Sequence, residues 1–77
     1  MIETKLHQDT QKVKDLLPGQ SCVINWFEGG GAEVHRREDT LSLYEIPQYG
    51  GEEHFYGEFD FTDEGVKELV SLAYSWT

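Results

Sequence analysis

Four segments rich in β-branched and aromatic residues follow one another between residues 21 and 61, and turn-forming residues separate each segment from the next. Val, Ile, Thr and aromatic residues favour extended backbone, whereas Gly, Pro and Asp favour turns. The pattern predicts four strands, at residues 21–28, 32–37, 41–46 and 54–61. Because consecutive strands with short connections pair as neighbours, we expect a four-stranded antiparallel meander.

A helical pattern precedes the predicted sheet. A helix is predicted over about residues 4–17, and Pro18 ends it because proline cannot continue a helix. The apolar residues fall near one stripe: Ile2, Leu6, Val13, Leu16 and Leu17. The middle turn, residues 8–11, carries no apolar side chain. We therefore expect an amphipathic helix whose first half is loosely held.

A second helix is predicted after the sheet. Thr62 is a favourable N-cap residue, and Asp63 and Glu64 would occupy the first turn, where the helix dipole favours acidic side chains. Apolar residues then recur at helical spacing from Val66 to Trp76. This helix is expected to cover the apolar face of the sheet.

Together these elements predict an α+β fold in a single domain, residues 1–77: an N-terminal helix, a four-stranded antiparallel meander, and a C-terminal helix packed on one sheet face. We predict the register by centring each hairpin on its turn. A slip of one residue would move every side chain of a strand to the opposite face, so the register decides which side chains form the core. The expected core lies around Trp26, Leu43, Phe59, Val70 and Trp76.

The same register makes specific expectations about individual side chains. On the core face, Ile24 is expected opposite Arg36, and Phe55 is expected at the end of that face. On the other face, Tyr44 is expected opposite Tyr56. Asn25 is also expected on that second, polar face. Its three aromatic residues would form one strip: Phe27, Tyr44 and Tyr56.

The net negative charge is confined to the second half of the chain. The formal net charge is −9, and residues 38–77 hold ten Asp or Glu and one Lys, whereas residues 1–37 hold five acidic and five basic residues. An acidic surface on a folded domain attracts a basic partner. The residues predicted to form this surface are Glu52, Glu53, Glu58, Asp60, Asp63 and Glu64.

The spacing of these acids suggests a function. Alternate strand residues lie about 6.6 Å apart on one face, so Glu58 and Asp60 approximate successive phosphates of a nucleic-acid strand. We therefore expect a small acidic, non-enzymatic binding protein, an inhibitor or nucleic-acid mimic that occupies a basic surface of a nucleic-acid-handling partner. Small acidic proteins of phages and mobile elements can block host defence in this way. The alternative interpretation is a solvated face that only keeps the protein soluble.

The aromatic strip supports a different hypothesis. Phe27, Tyr44 and Tyr56, if exposed on the open sheet face, would suit a protein–protein interaction module, either in a homodimer or in a larger assembly. Packing between neighbouring strands explains the same residues. Direct nucleic-acid binding is not expected, because proteins that stack bases surround their rings with cations, and here only Arg36 and Arg37 are nearby.

No catalytic or metal-binding motif is apparent in the sequence. Cys22 is the only cysteine, which excludes an intramolecular disulfide and favours a reducing, cytoplasmic location. His7, His35 and His54 do not have the short spacing of zinc motifs. We therefore expect no catalytic residue, no metal and no cofactor. Membrane association is not expected either, because no apolar stretch reaches the length of a membrane span.

Overall fold

The computed structural model describes residues 2–27 and 30–76. Helix α1 spans Ile2–Lys14, strands β1 to β4 span Ser21–Phe27, Gly30–Arg36, Thr40–Ile46 and His54–Asp60, and helix α2 spans Asp63–Tyr74. The strands form one antiparallel sheet in the order β1-β2-β3-β4, and both helices contact it. The predicted α+β architecture is confirmed. Within the described residues, no helix is long and apolar enough to cross a membrane.

The core lies between the two helices and one face of the sheet. Every helix and strand except β4 contributes buried apolar side chains to it. These are Val13, Leu16, Ile24, Ala32, Val34, Leu41, Leu43, Val66, Leu69, Val70 and Ala73. Leu43 and Val70 are fully buried, as predicted. Phe59 and Trp76 are only partly buried and pack against the margin of this cluster.

The register between β2 and β3 is confirmed, but that between β1 and β2 differs from the prediction. Arg36 lies opposite Leu41, as predicted. Ile24 lies opposite Ala32 instead of Arg36. The three consecutive glycines at residues 29–31 carry no side chains that could specify the centre of the turn. Because the shift is an even number of residues, Ile24 remains on the core face.

A bulge at Asn25 reverses the predicted positions of two residues. The register of β1 shifts between Ile24 and Phe27, and Asn25 has a φ of 50°, a conformation that Asn tolerates better than most residues. Asn25 is buried, whereas Trp26 is 55% exposed. The predictions that Trp26 belongs to the core and Asn25 to the open face are therefore wrong.

Asp9, in the middle of α1, is held by buried hydrogen bonds to β1 and α2. The buried Asp9 Oδ2 accepts hydrogen bonds from the Asn25 backbone N–H at 2.8 Å and from the Tyr74 hydroxyl at 2.6 Å. Asn25 Nδ2 in turn donates to the Ala73 carbonyl at 3.0 Å. Burial, reinforced by the bond to Asp9, raises the pKa of Tyr74. This polar network joins α1, β1 and α2.

Strands β3 and β4 follow the predicted register only at one end. Leu43 lies opposite Gly57, as predicted, but the next pair is Tyr44 with Phe55 instead of Tyr56. Tyr56 is the extra residue, and it makes a bulge beside Gly57. Glycine within a strand often marks a bulge. Phe55 therefore leaves the predicted core face and contacts Tyr44, while Tyr56 contacts Trp76, with ring centroids 5.1 Å apart.

Candidate acidic binding groove

An acidic groove lies between β4 and the first half of α2, and its volume is about 310 Å³. The residues that line it are Glu58, Phe59, Asp60, Thr62, Glu64, Gly65 and Glu68. Four of these carry carboxylates, and the lining includes no Lys, Arg or His. The groove therefore presents a concentrated negative potential to solvent.

Two elements contribute the four acidic residues that line the groove. Glu58 and Asp60 alternate on β4, so they share one side of the strand. Glu64 and Glu68 lie four residues apart on α2, so they share one face of the helix. Thr62 fixes where the helix begins, because its Oγ1 accepts a hydrogen bond from the Gly65 backbone N–H at 3.0 Å.

Gly65 allows the two walls of the groove to approach closely. A Cβ atom at this position would overlap the Asp60 carbonyl oxygen and would lie 2.8 Å from the Asp60 carbonyl carbon. Only glycine fits without moving the backbone. The start of α2 therefore packs directly against the last residue of β4.

Five of the six Lys and Arg residues make contacts away from this groove, and the sixth, Lys67, lines a second groove between α1 and α2. Lys5 and Lys12 donate to the carbonyls of Trp26 and Val23, Arg36 to those of Leu16 and Glu38, and Arg37 to the Ser42 hydroxyl. Over residues 2–27 and 30–76, the ion pairs within 4 Å are Lys14 with Asp63 at 3.8 Å and His35 with Glu33 at 3.2 Å. Neither pair neutralises a carboxylate of the groove.

The groove brings together only part of the predicted acidic set. Glu58, Asp60 and Glu64 line it, whereas Glu52 lies exposed in the loop between β3 and β4. Asp63 faces Lys14 across a second groove, between α1 and α2. A carboxylate oxygen of Glu53 lies within 4.8 Å of one of Glu33, on the sheet.

Glu68 is a groove residue that the sequence analysis missed. The available signal was its spacing of four residues from Glu64, which puts the two side chains on the same helical face.

The predicted aromatic strip has a different composition in the structure. Tyr44 makes edge-on contacts with Phe55 and His35, with ring centroids 5.4 Å and 5.2 Å apart. Tyr56 contacts Trp76 instead. The side chain of Phe27 lies outside the described part of the chain. The observed aromatic strip therefore comprises His35, Tyr44 and Phe55.

A second group of polar side chains lies beside this strip. A carboxylate oxygen of Glu33, a ring nitrogen of His35 and a carboxylate oxygen of Glu53 all lie within 4.8 Å of one another. A hydrogen bond between the two carboxyl groups lowers the pKa of Glu33 and raises the pKa of Glu53. The two carboxyl groups therefore influence each other's ionisation.

Cys22, the only cysteine, packs against the core from β1. Burial raises the pKa of its thiol, with a smaller opposing effect from Lys12. The thiolate is the nucleophilic form of cysteine. This environment therefore disfavours the reactive state.

No protein-family model, curated protein or solved structure matches this chain. Its function must be inferred from the geometry and charge of the sites themselves.

Proposed function

We propose that this protein is a small acidic, non-enzymatic binding protein, which inhibits a nucleic-acid-handling partner by occupying that partner's basic surface through the acidic groove. The supporting observation is the group of four carboxylates along one groove whose lining contains no cation. A counter-defence role against a host protein, and a cytoplasmic location, belong to the same proposal.

The charge distribution explains how such a groove would act as a nucleic-acid mimic. Glu58 and Asp60 repeat at about 6.6 Å along β4, and Glu64 and Glu68 add a second row on α2. A basic surface that binds phosphates finds two lines of negative charge at a comparable spacing. The net charge of −9 adds long-range attraction, which accelerates association at low salt.

Neutralising the groove should weaken partner binding by about 4- to 800-fold, because exposed ion pairs contribute roughly 0.2 to 1 kcal/mol each and four are removed. The variant combines Glu58→Gln, Asp60→Asn, Glu64→Gln and Glu68→Gln. A partner would first be captured from lysate of the source cells at low salt and identified. Its Kd for the wild-type and variant proteins would then be measured with purified components at several salt concentrations, with duplex DNA as a competitor.

A matched control separates the groove from the net charge. Glu38→Gln, Asp39→Asn, Glu45→Gln and Glu52→Gln remove the same number of charges at positions that do not line the groove. This control should change Kd by less than about threefold. Equal losses in both variants, or binding that is indifferent to salt, would contradict the proposal.

The exposure of Phe55 favours a second candidate function, a protein–protein interaction module that uses the aromatic strip. Phe55 is 57% exposed beside Tyr44.

On this hypothesis Tyr44→Ala and Phe55→Ala each weaken binding by at least about tenfold. Tyr49→Ala, in the exposed loop, is the control. If the strip pairs two copies of the chain, sedimentation should detect a dimer that Phe55→Ala dissociates; unchanged binding and a monomeric state would exclude this function.

A further inference from the structure

The cluster of Glu33, His35 and Glu53 lies apart from the acidic groove, since none of its members lines that groove. We propose that this cluster is a binding site for Zn²⁺, held by one imidazole nitrogen and two carboxylates. This inference is independent of the proposed function, because it concerns different side chains and a different ligand.

The strand geometry already provides two donors at a suitable distance. Glu33 and His35 alternate on β2 with the buried Val34 between them, so both side chains lie on the face opposite the helices. Glu33 Oε1 and His35 Nε2 are 3.2 Å apart. Two ligands of a tetrahedral zinc ion are separated by about 3.3 Å when each bond is about 2.0 to 2.1 Å long.

The third donor comes from another part of the chain. Glu53 ends the loop that precedes β4, and its exposed side chain reaches the same point. A side chain with this freedom can adjust by rotation to complete a three-ligand site. The Tyr44 ring, edge-on to His35 at 5.2 Å, restricts the orientation of the imidazole.

The charge of the cluster also favours a cation. The carboxylate oxygens of Glu33 and Glu53 lie within 4.8 Å of each other and repel, and a cation between them would relieve that repulsion. His35 is the one basic partner within 4 Å of Glu33 among the described ion pairs. A divalent ion would neutralise both carboxylates at once and would leave one coordination position open to water.

The donor set determines which cation is preferred. Mg²⁺ and Ca²⁺ favour sites made entirely of oxygen ligands, whereas imidazole is a preferred ligand of zinc and neighbouring metals. Among those metals, zinc binds more tightly than manganese at a given nitrogen and oxygen site. Zn²⁺ should therefore bind more tightly than Mn²⁺, and Mg²⁺ should bind most weakly.

The test is calorimetric titration of the metal-free, tag-free chain with ZnCl₂. We expect saturable binding of one Zn²⁺ per chain, and Glu33→Gln, His35→Ala and Glu53→Gln should each weaken it by at least about tenfold. Zinc should also raise the melting temperature of the wild-type protein, since a ligand that binds the folded state stabilises it. Because Glu53 is exposed, Glu53→Gln provides a test that does not depend on the folding of a variant at a more buried position.

Two matched controls make the result specific. His7→Ala and Glu52→Gln remove an exposed histidine and the exposed glutamate adjacent to Glu53, both outside the cluster. Both should bind zinc like the wild-type protein. The proposal is overturned if saturable one-to-one binding is absent, if the controls weaken binding as much as the cluster variants, or if Mg²⁺ binds as tightly as Zn²⁺.

Discussion

Asp9→Ala is expected to destabilise the protein by about 3 kcal/mol. The substitution removes a charge-assisted hydrogen bond, commonly worth about 1.5 to 3 kcal/mol, and leaves the Asn25 backbone N–H without its buried acceptor. It also removes the partner of the Tyr74 hydroxyl. For a domain of this size, the melting temperature should fall by about 10 to 20 °C. Urea unfolding and thermal melting followed by circular dichroism would measure both quantities.

Two further variants test whether the network is the cause. Asp15→Ala removes an exposed aspartate shortly after the same helix, and it should cost less than about 0.5 kcal/mol. Asp9→Asn retains an acceptor oxygen but loses the charge, so an intermediate loss of about 1 kcal/mol is expected. Equal stability of Asp9→Ala and Asp15→Ala would show that the network does not hold α1 in place.

The elements of this fold follow from local signals in the sequence. Pro47 directly follows β3, and Thr62 caps α2 where its hydroxyl can meet the Gly65 N–H. The connection between β2 and β3 is short, which left little freedom in their pairing. The predicted pairing of Arg36 with Leu41 was therefore correct. The sequence was sufficient to predict the register of a hairpin where the turn residues allowed only one centre for the turn.

The predictions were wrong where tertiary contacts determine the backbone conformation of a strand. Asn25 leaves the strand pattern because Asp9 and the Ala73 carbonyl bind it from two helices. Neither contact is visible as a periodicity in β1. The bulge that pairs Tyr44 with Phe55 likewise shifts Tyr56 toward Trp76. A single inserted residue exchanges the faces of its neighbours, so the predicted aromatic strip was wrong in composition.

The sites show the same division between local and long-range information. Alternation along β4 predicted that Glu58 and Asp60 act together, and helical spacing could have added Glu68 to Glu64. The proximity of Glu53 to His35 required the β3–β4 register and the path of the intervening loop. It could therefore be predicted that neighbouring residues of one helix or strand share a site, whereas the contribution of a loop residue to a site could not be predicted.

Gly65→Ala should destabilise the protein by about 1 to 3 kcal/mol, although alanine is the better helix former by about 1 kcal/mol. The reason is the overlap of the new Cβ with the Asp60 carbonyl oxygen, which is a backbone atom and cannot rotate away. The start of α2 must then move away from β4. Urea unfolding would measure the loss, and amide hydrogen exchange should show reduced protection in the first turn of α2.

Gly57→Ala is the matched control, because a Cβ at Gly57 has no neighbouring atom within 4 Å in the described structure. It should be neutral or slightly stabilising, since alanine restricts the unfolded chain more than glycine does.

Gly65→Ala should also widen the acidic groove without removing any charge. If the proposed docking depends on the spacing of the two carboxylate rows, this variant should weaken partner binding while Gly57→Ala does not. Unchanged stability in Gly65→Ala would mean that the contact between α2 and β4 is looser than the structure describes.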